Sequence, residues 1–466
     1  MLIYLADLAH TYTTRNESLM VPLNIGYLKA YTLEQHKNEI NIKLFKDPKK
    51  LLACVDNEIP NVVGLANYGW NADLNLKIGK YIKFKSPKTI IISGGPNIDE
   101  QEDSRINFLH ENNYIDYYIT DGGEEPFSEI ISWLKNNKRS EIPKNIIYLK
   151  KNRKLFNSGR RPLKKESNHI SSPYLAGYLD EFLDLNMVPL LETNRGCPFR
   201  CSFCAWGMAS HDIVSKLNLD NTLAEIEYIG KKAGKLGITN LHFADVNFGM
   251  YPQDSKTCEF LMESKKKYGW PLQVVATTGK NSKARVMEIT KILGEMFAVN
   301  MSMQSMDKRV LANIRRSNIK LEHMTEVNNH LRSEGRSTKG ELIMTLPGET
   351  KETFIKGLNN VLNANTSSVT IYTLMMLHGT EFKNPQYRNK FKYKGKFRIV
   401  PLNFGEYDGR RIMDYEEVGV ENKDLSFEDY LYIRVLALLV ESLYNGKPFY
   451  EFFKFSKEIG IQPASI

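Results

Sequence analysis

Cysteine is scarce in this chain, at 5 of 466 residues. That density excludes a disulfide scaffold, which depends on several pairs in a short secreted chain. Long apolar runs are also missing, and none approaches the roughly 18 uncharged apolar residues of a membrane span. The N-terminus, MLIYLADLAH, enters a strand pattern at once, with no basic leader and no small-residue cleavage site. No signal peptide is expected, and the chain reads as cytoplasmic. A concentrated basic stripe is lacking too. The net charge is +9, but the lysines are scattered, with short runs such as Lys164-Lys165 and Lys265-Lys-Lys267. Scattered lysine favours solubility over nucleic-acid binding, so no nucleic-acid partner is expected. What remains is a globular composition, 42% hydrophobic, and length enough for two or three domains.

Three of the five cysteines nevertheless fall within eight residues, Cys197-Pro-Phe-Arg-Cys201-Ser-Phe-Cys204, while Cys54 and Cys258 stand alone. A zinc site wants four ligands, usually in two separated pairs, and the fourth here would have to be His211 or Cys258 at no familiar spacing. A redox pair of Cys201 and Cys204 leaves Cys197 unexplained. Ligation of an iron–sulfur cluster uses all three thiolates. Three thiolates on one loop hold three irons of a [4Fe–4S] cube and leave the fourth open to a substrate or cofactor.

The lead-in Glu192-Thr-Asn-Arg-Gly-Cys197, the CxxxCxxC spacing and Phe203 before the last cysteine resemble the radical S-adenosylmethionine (SAM) superfamily. That resemblance implies a [4Fe–4S] cluster on Cys197, Cys201 and Cys204 whose fourth iron is chelated by the amine and carboxylate of SAM. It further implies reductive cleavage of SAM to a 5′-deoxyadenosyl radical that abstracts hydrogen from unactivated carbon. An electron donor such as flavodoxin or ferredoxin is then an implied partner.

Residues 1–135 alternate apolar strand runs (2–5, 40–45, 61–66, 89–93, 117–120) with helical patterns (22–33, 76–84, 126–134). Such alternation predicts a doubly wound parallel sheet covered on both faces, with ligands beyond the carboxyl ends of the strands. The turns there are polar or glycine-rich: Asn67-Tyr-Gly69-Trp70-Asn71, Ser93-Gly94-Gly95-Pro96-Asn97 and Asp121-Gly122-Gly123-Glu124. The region resembles the cobalamin-binding, Rossmann-like domain that precedes the barrel in one radical SAM class. By that resemblance Asn67, Ser93, Gly94, Gly95, Asn97, Gly122 and Gly123 are candidate cofactor-binding positions. The DxHxxG motif of cobalamin mutases is absent: two residues separate Asp7 from His10. His10 reads as a strand-end histidine, and a corrin lower face free of protein nitrogen is expected.

Residues 136–186 read as a linker with a hairpin-like segment near 146–155. Residues 187–385 carry six further strand–helix units, predicted as a partial (β/α)6 barrel with its chemistry at the carboxyl strand ends. The polar signatures fall there in order. Phe243-Ala-Asp245-Val-Asn247-Phe248-Gly249 resembles an acidic motif of cobalamin-type members, which makes Asp245 and Asn247 candidate cofactor contacts. Gln304-Ser305 followed by Ile314-Arg315-Arg316-Ser-Asn318 resembles the family's QS…R.N pattern, implying that Gln304 and Ser305 approach the ribose and Arg316 the SAM carboxylate. Arginine suits a planar carboxylate better than lysine. Glu341-Leu-Ile-Met-Thr-Leu346-Pro347-Gly348-Glu349-Thr350 resembles the LPGET turn, with Glu341 at the place of an acidic ribose ligand and Glu349 as helix cap. Leu377-His378-Gly379-Thr380 is similar to a PGT element with histidine for proline. Thr277-Thr278-Gly279-Lys280 departs from the family's Thr-Arg, which puts Lys280 as a SAM contact in doubt. Residues 386–466, rich in Tyr and Phe, are expected to form a small helical C-terminal segment around an amphipathic helix at 427–444.

The function these resemblances imply is a cobalamin-dependent radical SAM methyltransferase acting on carbon of a small-molecule, lipid or peptide substrate. The alternative is radical SAM chemistry without functional cobalamin: cyclisation, rearrangement or methylthiotransfer. A methylthiotransferase carries three more cysteines in its first domain, where this chain has only Cys54.

Overall fold

The computed structural model describes residues 1–12, 14–162, 164–165, 167, 170–207, 213–278 and 283–465. His211 and Lys280, both weighed above, lie outside the described residues. The first sheet is built from Leu2–Ala6 (β1), Asn41–Phe45 (β2), Val62–Ala66 (β3), Ile90–Gly94 (β4), Tyr117–Ile119 (β5), Ile146–Leu149 (β6) and Leu155–Asn157 (β7). Their spatial order is β2-β1-β3-β4-β5-β6-β7. The first five pair in parallel, and β6 and β7 add an antiparallel edge. The expected linker hairpin therefore belongs to this sheet: Ile146 and Ile147, both fully buried, find their apolar partners on β5 rather than between domains. Helices Leu23–His36 and Glu124–Lys135 cover one face, and Pro48–Asn57 and Ala72–Lys85 the other. Strand order reverses between β1 and β3, the place where open α/β sheets bind ligands.

The second region contains Leu190–Leu191 (β8), Asn194–Arg195 (β9), Ser215–Lys216 (β10), Asn240–Phe243 (β11), Gln273–Val275 (β12), Val299–Gln304 (β13), Thr338–Met344 (β14) and Ser368–Thr373 (β15). β8, β11 and β12 form one parallel sheet and β13, β14 and β15 another. A parallel bridge between Val274 and Phe297 joins them, giving six strands in sequential order as an open, partial barrel. β9 and β10 are a short antiparallel pair that brackets the cysteine loop.

One apolar core runs through both regions. Ile25 and Phe127 of the first domain, Leu179 and Leu183 of the connector, and Ile226 and Leu241 of the barrel belong to the same buried cluster. A shared core of this kind holds two domains in one orientation, whereas a small polar interface leaves them free to hinge.

The C-terminal segment is helical at Phe427–Leu439 and Tyr450–Glu458. A long antiparallel hairpin precedes these helices, Lys394–Tyr407 (β16) and Arg410–Glu421 (β17), which the sequence reading did not anticipate. It reaches back to the first domain. His10, 1% exposed, accepts at Nδ1 from the Tyr407 hydroxyl (3.1 Å) and donates from Nε2 to Asp414 Oδ2 (2.7 Å). Asp414 Oδ1 accepts the Asp73 backbone N–H at 2.7 Å. Both imidazole nitrogens are thus committed to the hairpin. Among the described residues no helix is long and apolar enough to cross a membrane.

Asp414→Ala should lower stability by about 3 kcal/mol, because it strands the His10 N–H and the Asp73 N–H in a buried place. Urea unfolding of both proteins measures this, and an unchanged midpoint would show that the hairpin contributes nothing to holding the first domain.

Candidate active site at the carboxyl strand ends

The cysteine loop begins where β8 ends. Its entry is fixed by Asp245, a 2% exposed residue just beyond β11. Asp245 Oδ2 accepts the Thr193 N–H (3.0 Å), and Oδ1 accepts the Thr193 hydroxyl (2.5 Å) and the Asn194 N–H (3.1 Å). Burial pushes the Asp245 carboxyl up to about 7, against the pull of the Thr193 donors. Asp245 thus organises the chain four residues ahead of Cys197. The far side is fixed by the Ser202 N–H bonding the Ile314 carbonyl at 3.1 Å. The loop then folds on itself, with Cys204 N–H to Cys201 O at 3.1 Å and Gly207 N–H to Cys204 O at 2.8 Å. A Cβ on Gly207 would stand 2.2 Å from the Cys201 carbonyl oxygen, so only glycine closes this turn.

Cys197 and Cys201 are 7% and 4% exposed, and Cys204 is half-buried; all three lie on one loop and none is in a disulfide. Asn247 Nδ2 lies 3.3 Å from Cys197 Sγ, and Arg316 Nη1 lies 4.0 Å from Cys201 Sγ. Burial pulls the Arg316 guanidinium below its ordinary value, and the neighbouring Cys201 and Cys204 oppose that shift. Arg316 is also held through Nε to Asn318 Oδ1 (3.0 Å) and through Nη2 to the Ser302 carbonyl.

The remaining barrel candidates converge nearby. β13 carries an irregularity between Ser302 and Gln304, and Gln304 has φ 64°. Bulges of this kind re-aim a side chain beside an active site. Glu341 of β14 accepts from Asn300 Nδ2 (2.7 Å), Ser302 Oγ (2.5 Å) and, more distantly, the Tyr372 hydroxyl (3.5 Å). Asn300, Ser302 and Tyr372 were not singled out in the sequence; the period of two puts 300 and 302 on one face of β13, and the irregularity breaks that phase before Gln304. Ser305 donates to Glu349 Oε2 at 2.6 Å. Glu349 is not the helix cap expected: Thr350 caps Lys351–Asn363, and Glu349 instead braces Ser305 and the Thr353 hydroxyl (2.8 Å). Burial raises Glu349 to about 7.

Whether SAM and a cluster suit this pocket can be judged from atoms left over. Asn247 Oδ1, Asn300 Oδ1 and Gln304 Oε1 are buried acceptors without a partner. Unpaired buried polar atoms are costly, so these acceptors, of which the Asn247 amide lies against Cys197, fit a polar ligand that donates to them.

The first-domain candidates form an adjacent rim. Gly95 has φ 130°, and a Cβ there would meet the Asn67 carbonyl oxygen at 2.4 Å. The loop after β4 is thereby pressed against that after β3. Asn67 Nδ2 donates to the Asn97 carbonyl (3.1 Å) and the Tyr118 hydroxyl (3.2 Å), and Ser93 Oγ donates to the Leu65 carbonyl (3.0 Å). These side chains shape the rim through cross-loop bonds. Beside Gly69 and Gly122 the nearest atoms to an added Cβ are the side-chain oxygens Asn97 Oδ1 and Glu124 Oε2, each 3.9 Å away, which leaves an open floor at both positions. Trp70, next to Gly69, is 48% exposed and stacks on Tyr68 at 4.4 Å. Gly94 lies in β4, and Gly123 leads into helix Glu124–Lys135 against Leu28. A floor of glycine and aromatic surface fits a large planar cofactor.

Two charged contacts tie rim to barrel. Arg195, two residues before Cys197, pairs with Glu124 Oε1 from the first domain and Glu192 Oε2, both at 2.7 Å. Its guanidinium also lies 5.0 Å from the centre of the Tyr27 ring. Burial alone would lower the Arg195 pKa; Glu124 and Glu192 hold it above its ordinary value. Asp99, in the loop after β4, accepts from His378 Nδ1 (3.0 Å) and the Gly379 N–H (2.8 Å). The histidine that replaces proline thus makes a domain contact.

Residues 191–360 match the model of the radical SAM superfamily. The chain is 29% identical over 386 residues to the cobalamin-dependent radical SAM methyltransferase TokK of Streptomyces tokunonensis, covering 80% of this chain and 56% of the relative. It is 28% identical over 388 residues to the 2-(S-pantetheinyl)-carbapenam-3-carboxylate methyltransferase of Streptantibioticus cattleyicolor, covering 78% and 55%. The chain thus spans little more than half the length of these relatives. Among solved structures, the radical SAM methyltransferase TsrM of Kitasatospora setae, with cobalamin and a [4Fe-4S] cluster bound, superposes with TM-score 0.62 at 15% identity, covering 82% of this chain and 73% of that one. The two-domain fold is therefore shared.

Arg195→Met should destabilise the protein by about 3–5 kcal/mol, the cost of leaving buried carboxylates without their cation. Adding Glu124→Gln should recover part of that loss. Denaturant titration of the single and double variants reads the coupling, and strict additivity would mean that the pair is not the strut between domains.

Proposed function

We propose that this chain, whose residues 191–360 form a radical SAM domain, is a cobalamin-dependent radical SAM enzyme that methylates an unreactive carbon. The substrate class is a small molecule, lipid or peptide. The observation that carries this reading is the placement of three cysteines on one loop, with the buried Asn247 amide against Cys197, and the glycine-lined rim of the first domain tied to that loop through Arg195 and Glu124. The likeness to TokK supports the cobalamin and methyl-transfer elements of the reading.

Cys197, Cys201 and Cys204 would hold the cluster, and Arg316, Gln304, Asn247 and the Asn300–Glu341 pair would hold SAM. The rim of Asn67, Trp70, Gly94, Gly95, Asn97, Gly122 and Gly123 would hold the corrin. When bound, the cluster supplies an electron for cleavage of SAM, and cobalamin carries the methyl group. The protein's own work is positional. Arg316 offers a buried guanidinium to a carboxylate, a charge-assisted bond that is stronger here than in water. Glu341, held by Asn300 and Ser302, offers carboxylate oxygens to hydroxyl donors. The shared core and the Arg195 and Asp99 contacts keep rim and loop at a fixed separation, which is what transfer between two cofactors requires. His10, occupied at both nitrogens, supports a corrin lower face without an imidazole ligand. A low-potential donor such as flavodoxin or ferredoxin, in a cytoplasmic setting, suits reduced thiols.

Anaerobic reconstitution should give about four irons per chain. Ala in place of Cys197, Cys201 or Cys204 should abolish iron binding, whereas Ala at Cys54 or Cys258 should not. Equal loss at Cys258 would indicate four thiolate ligands and overturn the open-iron reading. Hydroxocobalamin should bind in calorimetry with a spectrum lacking a nitrogen lower ligand, and absence of binding would leave radical SAM chemistry without cobalamin.

Arg316→Ala should weaken SAM binding by roughly 1.5–3 kcal/mol with iron content unchanged, the size of a hydrogen bond to a charged group. Equilibrium binding of SAM to the reconstituted variant measures it, and unchanged affinity would remove Arg316 from the SAM site.

A further inference from the structure

We propose that Asn247 donates a hydrogen bond to the Cys197 thiolate and thereby raises the reduction potential of the cluster that the three cysteines hold. This rests on the cluster reading above. Asn247 is 1% exposed and its Nδ2 stands 3.3 Å from Cys197 Sγ. A metal-bound thiolate has no proton to give, so only the amide nitrogen can face it. The unpaired state of Oδ1 agrees with that orientation, because turning the amide round would place an acceptor against an acceptor.

The turn that carries Asn247 is rigid on both sides. Asp245 is locked to Thr193 and Asn194. Phe248, fully buried, stacks on Phe243 at 4.3 Å, and Asp254 accepts the Gly249 and Tyr251 N–H groups at 2.8 and 2.9 Å. The amide therefore keeps its aim whether or not the cluster is reduced. A donor held against a cluster sulfur stabilises the more electron-rich state, and iron–sulfur potentials respond to such bonds and to burial. Because the site excludes water, the protein dipole is not replaced by solvent when it is lost. The couple concerned takes one electron from an external reductant and involves no group transfer.

The test uses the full chain, reconstituted anaerobically without SAM or cobalamin and titrated with titanium(III) citrate while the reduced-cluster EPR signal is followed. Asn247→Leu removes the donor, and Asn247→Asp replaces it with an isosteric acceptor. Both should load wild-type iron and show midpoints more negative than wild type, with N247D the more negative of the two. Midpoints equal to wild type in both variants overturn the proposal. A second measurement does not depend on the variants loading iron. Wild-type protein carrying side-chain 15N-asparagine should show coupling of one asparagine nitrogen to the reduced cluster in pulsed EPR. A role in packing alone would give no such coupling, and its absence overturns the proposal. A wild-type chain that takes up no iron overturns the cluster reading and this proposal with it.

Discussion

A single guanidinium stands between the two halves of the molecule. Arg195 is separated from Cys197 by one glycine and takes a carboxylate from each side, Glu192 from its own strand end and Glu124 from the helix that follows Gly122 and Gly123. Losing Arg195, which is only partly exposed, would leave Glu124 and Glu192 short of a cation, so the three groups stabilise one another. That requirement fixes the cysteine loop relative to the rim of the first domain. Everything proposed about transfer between a cluster-bound ligand and a corrin depends on the separation it enforces.

Around that strut the protein spends its side chains on holding other side chains. Asp245, Asp254 and Glu349 are buried carboxylates whose oxygens go to backbone N–H groups or hydroxyls of the turns at the strand ends. Their pKa values sit well above ordinary carboxylates because burial disfavours charge. In a pocket with raised carboxyls, the temptation is to assign acid–base roles. Here the hydrogen-bond partners argue for architecture: Asp245 and Asp254 face the backbone they shape, and Glu349 braces the Ser305 and Thr353 hydroxyls. Among the described residues, the buried atoms without partners around these turns include Asp254 Oδ1, the Tyr251 hydroxyl and the amide oxygens of Asn194, Asn247, Asn300 and Gln304, and the amide oxygens point to ligand contact more directly than the shifted carboxyls do.

Much of the fold was legible because it is written in runs. Val62, Val63 and Leu65 fall in one apolar run of a strand buried on both faces, and the structure pairs that strand with parallel neighbours on each side. The six barrel strands were legible for the same reason. The hairpin of β16 and β17 was not, because half its apolar positions face solvent: Phe397, Ile399, Phe404, Met413 and Tyr415 are all exposed. An alternation of that kind, interrupted by Pro401 and Gly405, carries no clean period and reads as an aromatic-rich tail. Within the site, the cysteine loop was singled out by its spacing and Arg316 by its resemblance to the QS…R.N pattern, and the structure places Arg316 Nη1 4.0 Å from Cys201 Sγ. Thr193, Asn194 and Arg195 were quoted only as a lead-in, since their roles depend on Asp245 and Glu124, which are remote in sequence. Pairings of that sort leave no local trace.

The hairpin also bears on the missing DxHxxG motif. A histidine after the first strand of such a domain is a natural ligand for a metal approaching the strand ends, and His10 stands at that position. Its tautomer follows from its neighbours: the Tyr407 hydroxyl donates to Nδ1, so the proton lies on Nε2 and goes to Asp414. Releasing either nitrogen would break a buried network that also holds the Asp73 N–H. The chain thus uses its strand-end histidine to fasten the C-terminal hairpin to the first domain. A corrin held at this rim would find no imidazole at this strand end, because both His10 nitrogens are taken. That division follows from the fold itself, because a residue cannot both clamp the hairpin and swing out to a metal.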